Sequence, residues 1–180
     1  MFIETEQTPN PATLKFLPGR AVMAAGTANF ADTADTERSP LARRLFAISG
    51  VTGVFLGADF VSVSKDEALD WYRLKPAVLG VIMEHFTSGE PVFLGEAASE
   101  DDADDDDIVT QIKELLETRV RPAVAQDGGD IIFHRFEDGI DYLQMQGSCS
   151  GCPSSTATLK AGIENMLRHY VPEVIEVRAL

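Results

Sequence analysis

Apolar positions recur along this chain with two different periods, and the places where the period changes outline its elements. Thr13-Leu14-Lys15-Phe16-Leu17 reads as a short strand, and Pro18-Gly19 as a turn after it. Ala21–Ala25 is expected to be a second strand, and the small, polar residues 26–37 a loop. Ser39-Pro40 has the form of a helix cap followed by proline at the first helical position. Leu41, Leu45 and Ile48 then repeat at helical spacing up to Gly50. Val51–Leu56 and Phe60–Ser64 are β-type runs around Gly57-Ala58-Asp59, which predicts a hairpin. Asp66–Arg73 reads as a helical turn carrying Trp71. From Pro76 to Phe86, Val78, Leu79, Ile82, Met83 and Phe86 make the stripe of an amphipathic helix that Gly89 stops. Pro91–Leu94 is expected to be extended.

The second half has its own pattern. Ile108, Ile112, Leu115, Leu116 and Val120 form a helical stripe that Pro122 kinks or ends. Asp127-Gly128-Gly129-Asp130 is a tight turn whose carboxylates have a structural role in it. Residues 131–136 and 140–146 are strands joined at Asp138-Gly139, with Leu143 and Met145 on one face and Tyr142, Gln144 and Gln146 on the other. Leu159, Ile163, Met166, Leu167 and Tyr170 are the buried stripe of a later helix, and Val174–Val177 a last strand. The reading is α+β throughout. A domain over 1–95 is followed by a linker over 96–107 and by an α-β-β-α-β domain over 108–180. That last domain lies near the lower size limit for an independent core.

Charge sharpens this division. The formal net charge is −14, and residues 96–107 carry −8 of it, while the two flanking parts carry −3 each. Such a stretch cannot bury apolar area, so a flexible acidic linker is expected, spanning roughly 20 Å and longer with self-repulsion. An acidic chain is a poor match for a phosphate backbone, so no nucleic-acid partner is expected. No apolar run approaches the roughly 20 residues that span a bilayer. The first residues, Met1–Glu6, have neither the basic nor the apolar part of a secretory signal.

The candidate chemistry sits in Gly147-Ser148-Cys149-Ser150-Gly151-Cys152-Pro153-Ser154-Ser155, which holds the only two cysteines. A C-x-x-C pair presents two soft thiolates to one metal centre, or forms a dithiol/disulfide couple. Here it precedes a helix expected to start near Ser154 or Ser155, where unpaired N–H groups and the helix dipole favour thiolate. Its glycines and serines are expected to let both sulfurs face outward. Two ligands do not complete a metal site, because structural zinc and iron–sulfur clusters usually take four. His85, His134 and His169 do not lie at ligand spacing from the cysteines. The simplest route to four thiolates is two chains around one centre. Cluster binding, zinc-bridged assembly, thiol–disulfide exchange and incidental cysteines all remain open on the residues alone.

The combination of Asp127-Gly128-Gly129-Asp130 with the cysteine loop and Thr158-Leu159-Lys160 resembles the NifU C-terminal-like (Nfu) domain of iron–sulfur cluster carriers. Thr8-Pro9-Asn10-Pro11, Leu14-Lys15-Phe16 and the helix at Lys75-Pro76 resemble the Nfu N-terminal domain. The resemblance implies a homodimer that binds a 4Fe–4S cluster through two copies of Cys149 and Cys152. It implies delivery of that cluster to apo-proteins, aconitase-like or lipoyl-synthase-like, after receipt from a donor protein. The first domain, which has no cysteine, would recognise partners. No enzymatic turnover is implied, and the alternative is a thiol–disulfide oxidoreductase using the same pair. The expected location is the bacterial cytoplasm, or alternatively the mitochondrial matrix for a mature form.

Overall fold

The computed structural model describes residues 2–95, 106–149 and 153–180, with side chains from 157 onward in the last stretch. The chain divides into two compact units, Met1–Ser99 and Glu100–Leu180. Each combines helices with one sheet, so the class is α+β. Most of the expected linker lies outside the described residues. Its last two positions belong to a helix instead: Asp106 is the cap and Asp107 the first helical residue.

In the first unit five strands form an antiparallel sheet: β1 (Glu4–Gln7), β2 (Thr13–Leu17), β3 (Ala28–Phe30), β4 (Val51–Leu56) and β5 (Val61–Lys65). Their order is β1-β2-β5-β4-β3. Registers align Leu14, Val63 and Val54 in one row across the sheet, and Phe16, Val61 and Leu56 in the next. Two helices share the resulting core, α1 (Pro40–Phe46) through Leu41 and Leu45, and α2 (Trp71–Ser88) through Leu74, Val78 and Ile82. Each such side chain, fully buried, contributes roughly 1.5–3 kcal/mol. Ser39 caps α1 as the sequence suggests, its Oγ accepting from Ala42 N–H at 3.0 Å. The same hydroxyl donates to the Val92 carbonyl at 2.6 Å, which ties down residues 91–94 without a strand.

Several expectations fail in this unit for local reasons. Val22 and Met23 are in no strand, because both N–H groups turn to the Ala58 carbonyl. The short strands β1 and β3 have too few residues to show a period. Helix α2 starts at Trp71, where the Asp70 carboxylate accepts from Tyr72 N–H, and it runs through Pro76. The missing proline donor costs one helical bond, offset by a buried stripe that continues across it. Met83, placed on that stripe by spacing, is 44% exposed.

The second unit opens with α3 (Asp107–Leu115), a π-helical turn over Leu116–Val120 and α4 (Arg121–Gln126). Pro122 has no N–H to give the Thr118 carbonyl, and its ring would crowd that oxygen, so the helix widens there. The hairpin of β6 (Gly129–Glu137) and β7 (Ile140–Gly147) follows. It turns at Asp138 (φ 53°) and Gly139 (φ 77°), the two positive φ values that a tight hairpin turn demands. Helix α5 (Pro153–Tyr170) then carries the chain back so that β8 (Glu176–Ala179) lies parallel to β7, in the order β6-β7-β8. The last strand is thus displaced from 174–177. The core joins Ile112, Leu116, Val120 and Val124 to Ile131, Leu143, Leu167 and Val177. Tyr170, expected in this core, is 47% exposed and lies under the Arg119 guanidinium, 4.9 Å from its ring centre. Asp141 is fully buried on the core face of β7, beside Phe136 and Val177 in register, and neither oxygen has a hydrogen-bond partner among the described residues.

Candidate metal centre

The cysteine loop leaves the end of the central strand β7 and enters the first turn of α5, so topology places it at one end of the small sheet. Helix α5 is 18 residues long and begins at Pro153. Its unpaired N–H groups and positive dipole end therefore face the loop, a setting that favours thiolate and any anionic centre bound there.

Cys149 does not face outward as expected. It is 6% exposed and belongs to the core cluster with Ile131, Met145 and Ile163. The reason lies in the Asp127–Asp130 turn. Gly129 pairs with Gly147 across the β6–β7 ladder, and its bare Cα is the wall against which the sulfur rests. A Cβ at residue 129 would fall 2.7 Å from Cys149 Sγ, 2.9 Å from the Gln146 carbonyl and 3.1 Å from Cys149 N. Only glycine fits that approach. Cys152 lies outside the described residues, as do Ser150 and Gly151.

Ser148 joins the turn to the loop. Its N–H donates to the Gly128 carbonyl at 3.2 Å, and its Oγ to the Asp127 carbonyl at 2.5 Å. Asp130, 3% exposed, receives both arms of the Arg121 guanidinium at 2.9 Å each, and its Oδ1 also accepts from Ile131 N–H at 2.8 Å. A third arm of Arg121 reaches Glu117 at 2.6 Å. The hydrogen bonds to Asp130, ahead of a smaller opposing effect of burial, push the Arg121 guanidinium further above its already high range. Asp130 is thus an ion-pair anchor for the turn.

Sequence reasoning passed over Arg121. A usable signal was present: Ile108, Ile112, Leu116, Val120 and Val124 recur at intervals of four. At about 100° per residue that stripe drifts about 160° around a regular helix. One widened turn takes back about 100° of it. The remaining candidates disperse. His85 is buried in the first unit, while His134 is exposed on β6 and His169 at the far end of α5. Lys160 turns toward β8, 3.9 Å from Glu176. Among the described residues no three His, Cys, Asp or Glu side chains gather at metal-binding distance. The donor set offered by these residues is a thiol at a helix start, which fits part of a thiolate site.

Two family models match the chain. Residues 3–89 match the Nfu/NifU N-terminal scaffold domain, and residues 112–178 the NifU-like domain. A human protein named NFU1 iron-sulfur cluster scaffold homolog, mitochondrial, is 54% identical over 97% of this chain and 70% of its own length. NifU-like protein 5, mitochondrial, of Arabidopsis thaliana is 53% identical over 97% of this chain and 66% of its own length. The chain therefore spans about two thirds of the relatives it matches. A solution structure of a NifU-like protein from Saccharomyces cerevisiae is 27% identical, with a TM-score of 0.49, over 53% of this chain and 87% of that one.

Proposed function

Because this chain belongs to the Nfu family of NifU-like proteins, matched in both halves, we propose that it is an iron–sulfur cluster scaffold and carrier. Two copies hold one 4Fe–4S cluster through Cys149 and Cys152 of each, and pass it from a donor protein to apo-protein clients. The cluster is cargo, and the chain's part is ligation and release, with no catalytic turnover. The observation that carries this reading is the C-x-x-C loop at the start of α5 in a domain of this family. Its support is chemical: thiolates are the usual cluster ligands, four are needed, and one chain has two. A site shared between chains is exposed when loaded and easily given up, which suits transfer. The first unit recognises partners. The mitochondrial names of the relatives lend support to the matrix location, and none to the bacterial cytoplasm.

Anaerobic reconstitution is expected to give a dimer with about four irons per two chains. Cys149→Ala and Cys152→Ala each abolish it. A double-alanine chain that still retained the cluster would sink the reading.

A further inference from the structure

The covered Cys149 and the half-buried ion pair beside it belong to one connected arrangement. Asp130 is the second residue of β6 and is gripped by both arms of Arg121 at 2.9 Å. Its neighbour Gly129 is the wall behind the Cys149 sulfur. On the other side, Ser148 is sewn to the carbonyls of Asp127 and Gly128. Arg121 is the first residue after the π turn, and its N–H donates back to the Leu116 carbonyl. The widened helix therefore aims the guanidinium at the turn. A bidentate pair between a half-buried guanidinium and a buried carboxylate fixes both position and direction, as long as neither partner is removed.

We propose that Arg121 is a positioning residue for Cys149: through Asp130 it presses the Gly128–Gly129 turn against the thiol and keeps Cys149 covered, so that cluster loading is coupled to its release. This rests on the reading of Cys149 as a cluster ligand. A ligand to a cluster shared with a second chain must reach the surface, whereas Cys149 is 6% exposed. Covering it protects the empty carrier from stray metal and from oxidation, both of which follow thiol exposure.

The test uses the full chain with Cys152→Ser, which leaves Cys149 as the sole thiol. Its labelling by a disulfide reagent is timed at fixed pH over a series of low urea concentrations. Arg121→Lys keeps the charge but cannot span both Asp130 oxygens. It is expected to speed labelling about tenfold, or about 1.4 kcal/mol of opening, with little urea dependence, because a local opening exposes little surface. Gly129→Ala keeps both residues of the ion pair and crowds the sulfur and the adjoining backbone directly, so it is expected to produce the same gain. Val177→Ala weakens the same core away from the turn and accelerates labelling only with the steep urea slope of global unfolding. The proposal is overturned if Arg121→Lys and Gly129→Ala label at the parent rate, or if all three variants share the steep slope. In the two-cysteine chain, Arg121→Lys also shortens the half-time of anaerobic cluster loading. An unchanged or longer half-time overturns the coupling. Labelling requires no iron, so a chain that fails to take up a cluster refutes the carrier reading without touching this result. A chain that loads normally while labelling is unaffected refutes only this proposal.

Discussion

Asp141 makes the second unit respond to pH in the direction opposite to most carboxylates. It is fully buried on the core face of β7 with no hydrogen-bond partner among the described residues, and desolvation pushes its carboxyl up to about 7 from 3.8. The folded state therefore binds this proton more tightly than the unfolded chain does. The resulting stability is fully present below pH 3.8, fades as pH rises, and is gone above about 7. At 1.36 kcal/mol per pH unit the whole effect is at most about 4 kcal/mol, of which up to about 2.7 falls between about pH 5 and about pH 8. The assay is urea unfolding of the full chain at those two pH values, followed by far-UV circular dichroism and by the fluorescence of Trp71. The only tryptophan lies in the first unit, so its transition separates that unit from the second. The second unit is expected to be more stable at the lower pH, and Asp141→Asn to flatten that dependence. A wild-type midpoint that does not fall between the two pH values, or an unchanged slope in Asp141→Asn, would refute the reasoning.

Three further outcomes are expected. His85 is held below its ordinary range by burial first and by the nearby Arg44 second, so the first unit loses stability as pH falls through 6.5. The Trp71 transition at acid pH shows this, and His85→Leu removes it. Ser39→Ala deletes both the α1 cap and the bond to Val92, and lowers first-unit stability by about 1–2 kcal/mol in urea melts. Leu167→Ala, at a fully buried site of the second core, costs about 2–5 kcal/mol and leaves the Trp71 transition in place.

Elements with a full period were readable from the chain: the α1 cap, the β4–β5 pair, the Asp138-Gly139 hairpin and the stripes of α2 and α5. Those that depend on a distant partner were not. Strands β1 and β3 exist because β2 and β4 offer free edges to pair with, and neither has enough residues to show alternation. Met83 and Tyr170 have the spacing of core residues but emerge at the edges of the buried stripes, 44% and 47% exposed. Spacing states which side of a helix a residue occupies, and only packing states how far the core extends around it.

The sequence by itself determined the family and the place of its chemistry: two thiols in one loop just before a helix. Tertiary structure decided where a thiol points. Loop composition suggested outward-facing sulfurs, because glycine and serine obstruct nothing. Yet the missing side chain at Gly129 made room for Cys149 to turn inward. That space is closed by residues separated from Cys149 by about 20 positions and held by an arginine on a helix that a proline had widened. No local pattern encodes a contact of that kind. It arises when the hairpin register sets Gly129 opposite Gly147 and delivers Cys149 to the turn.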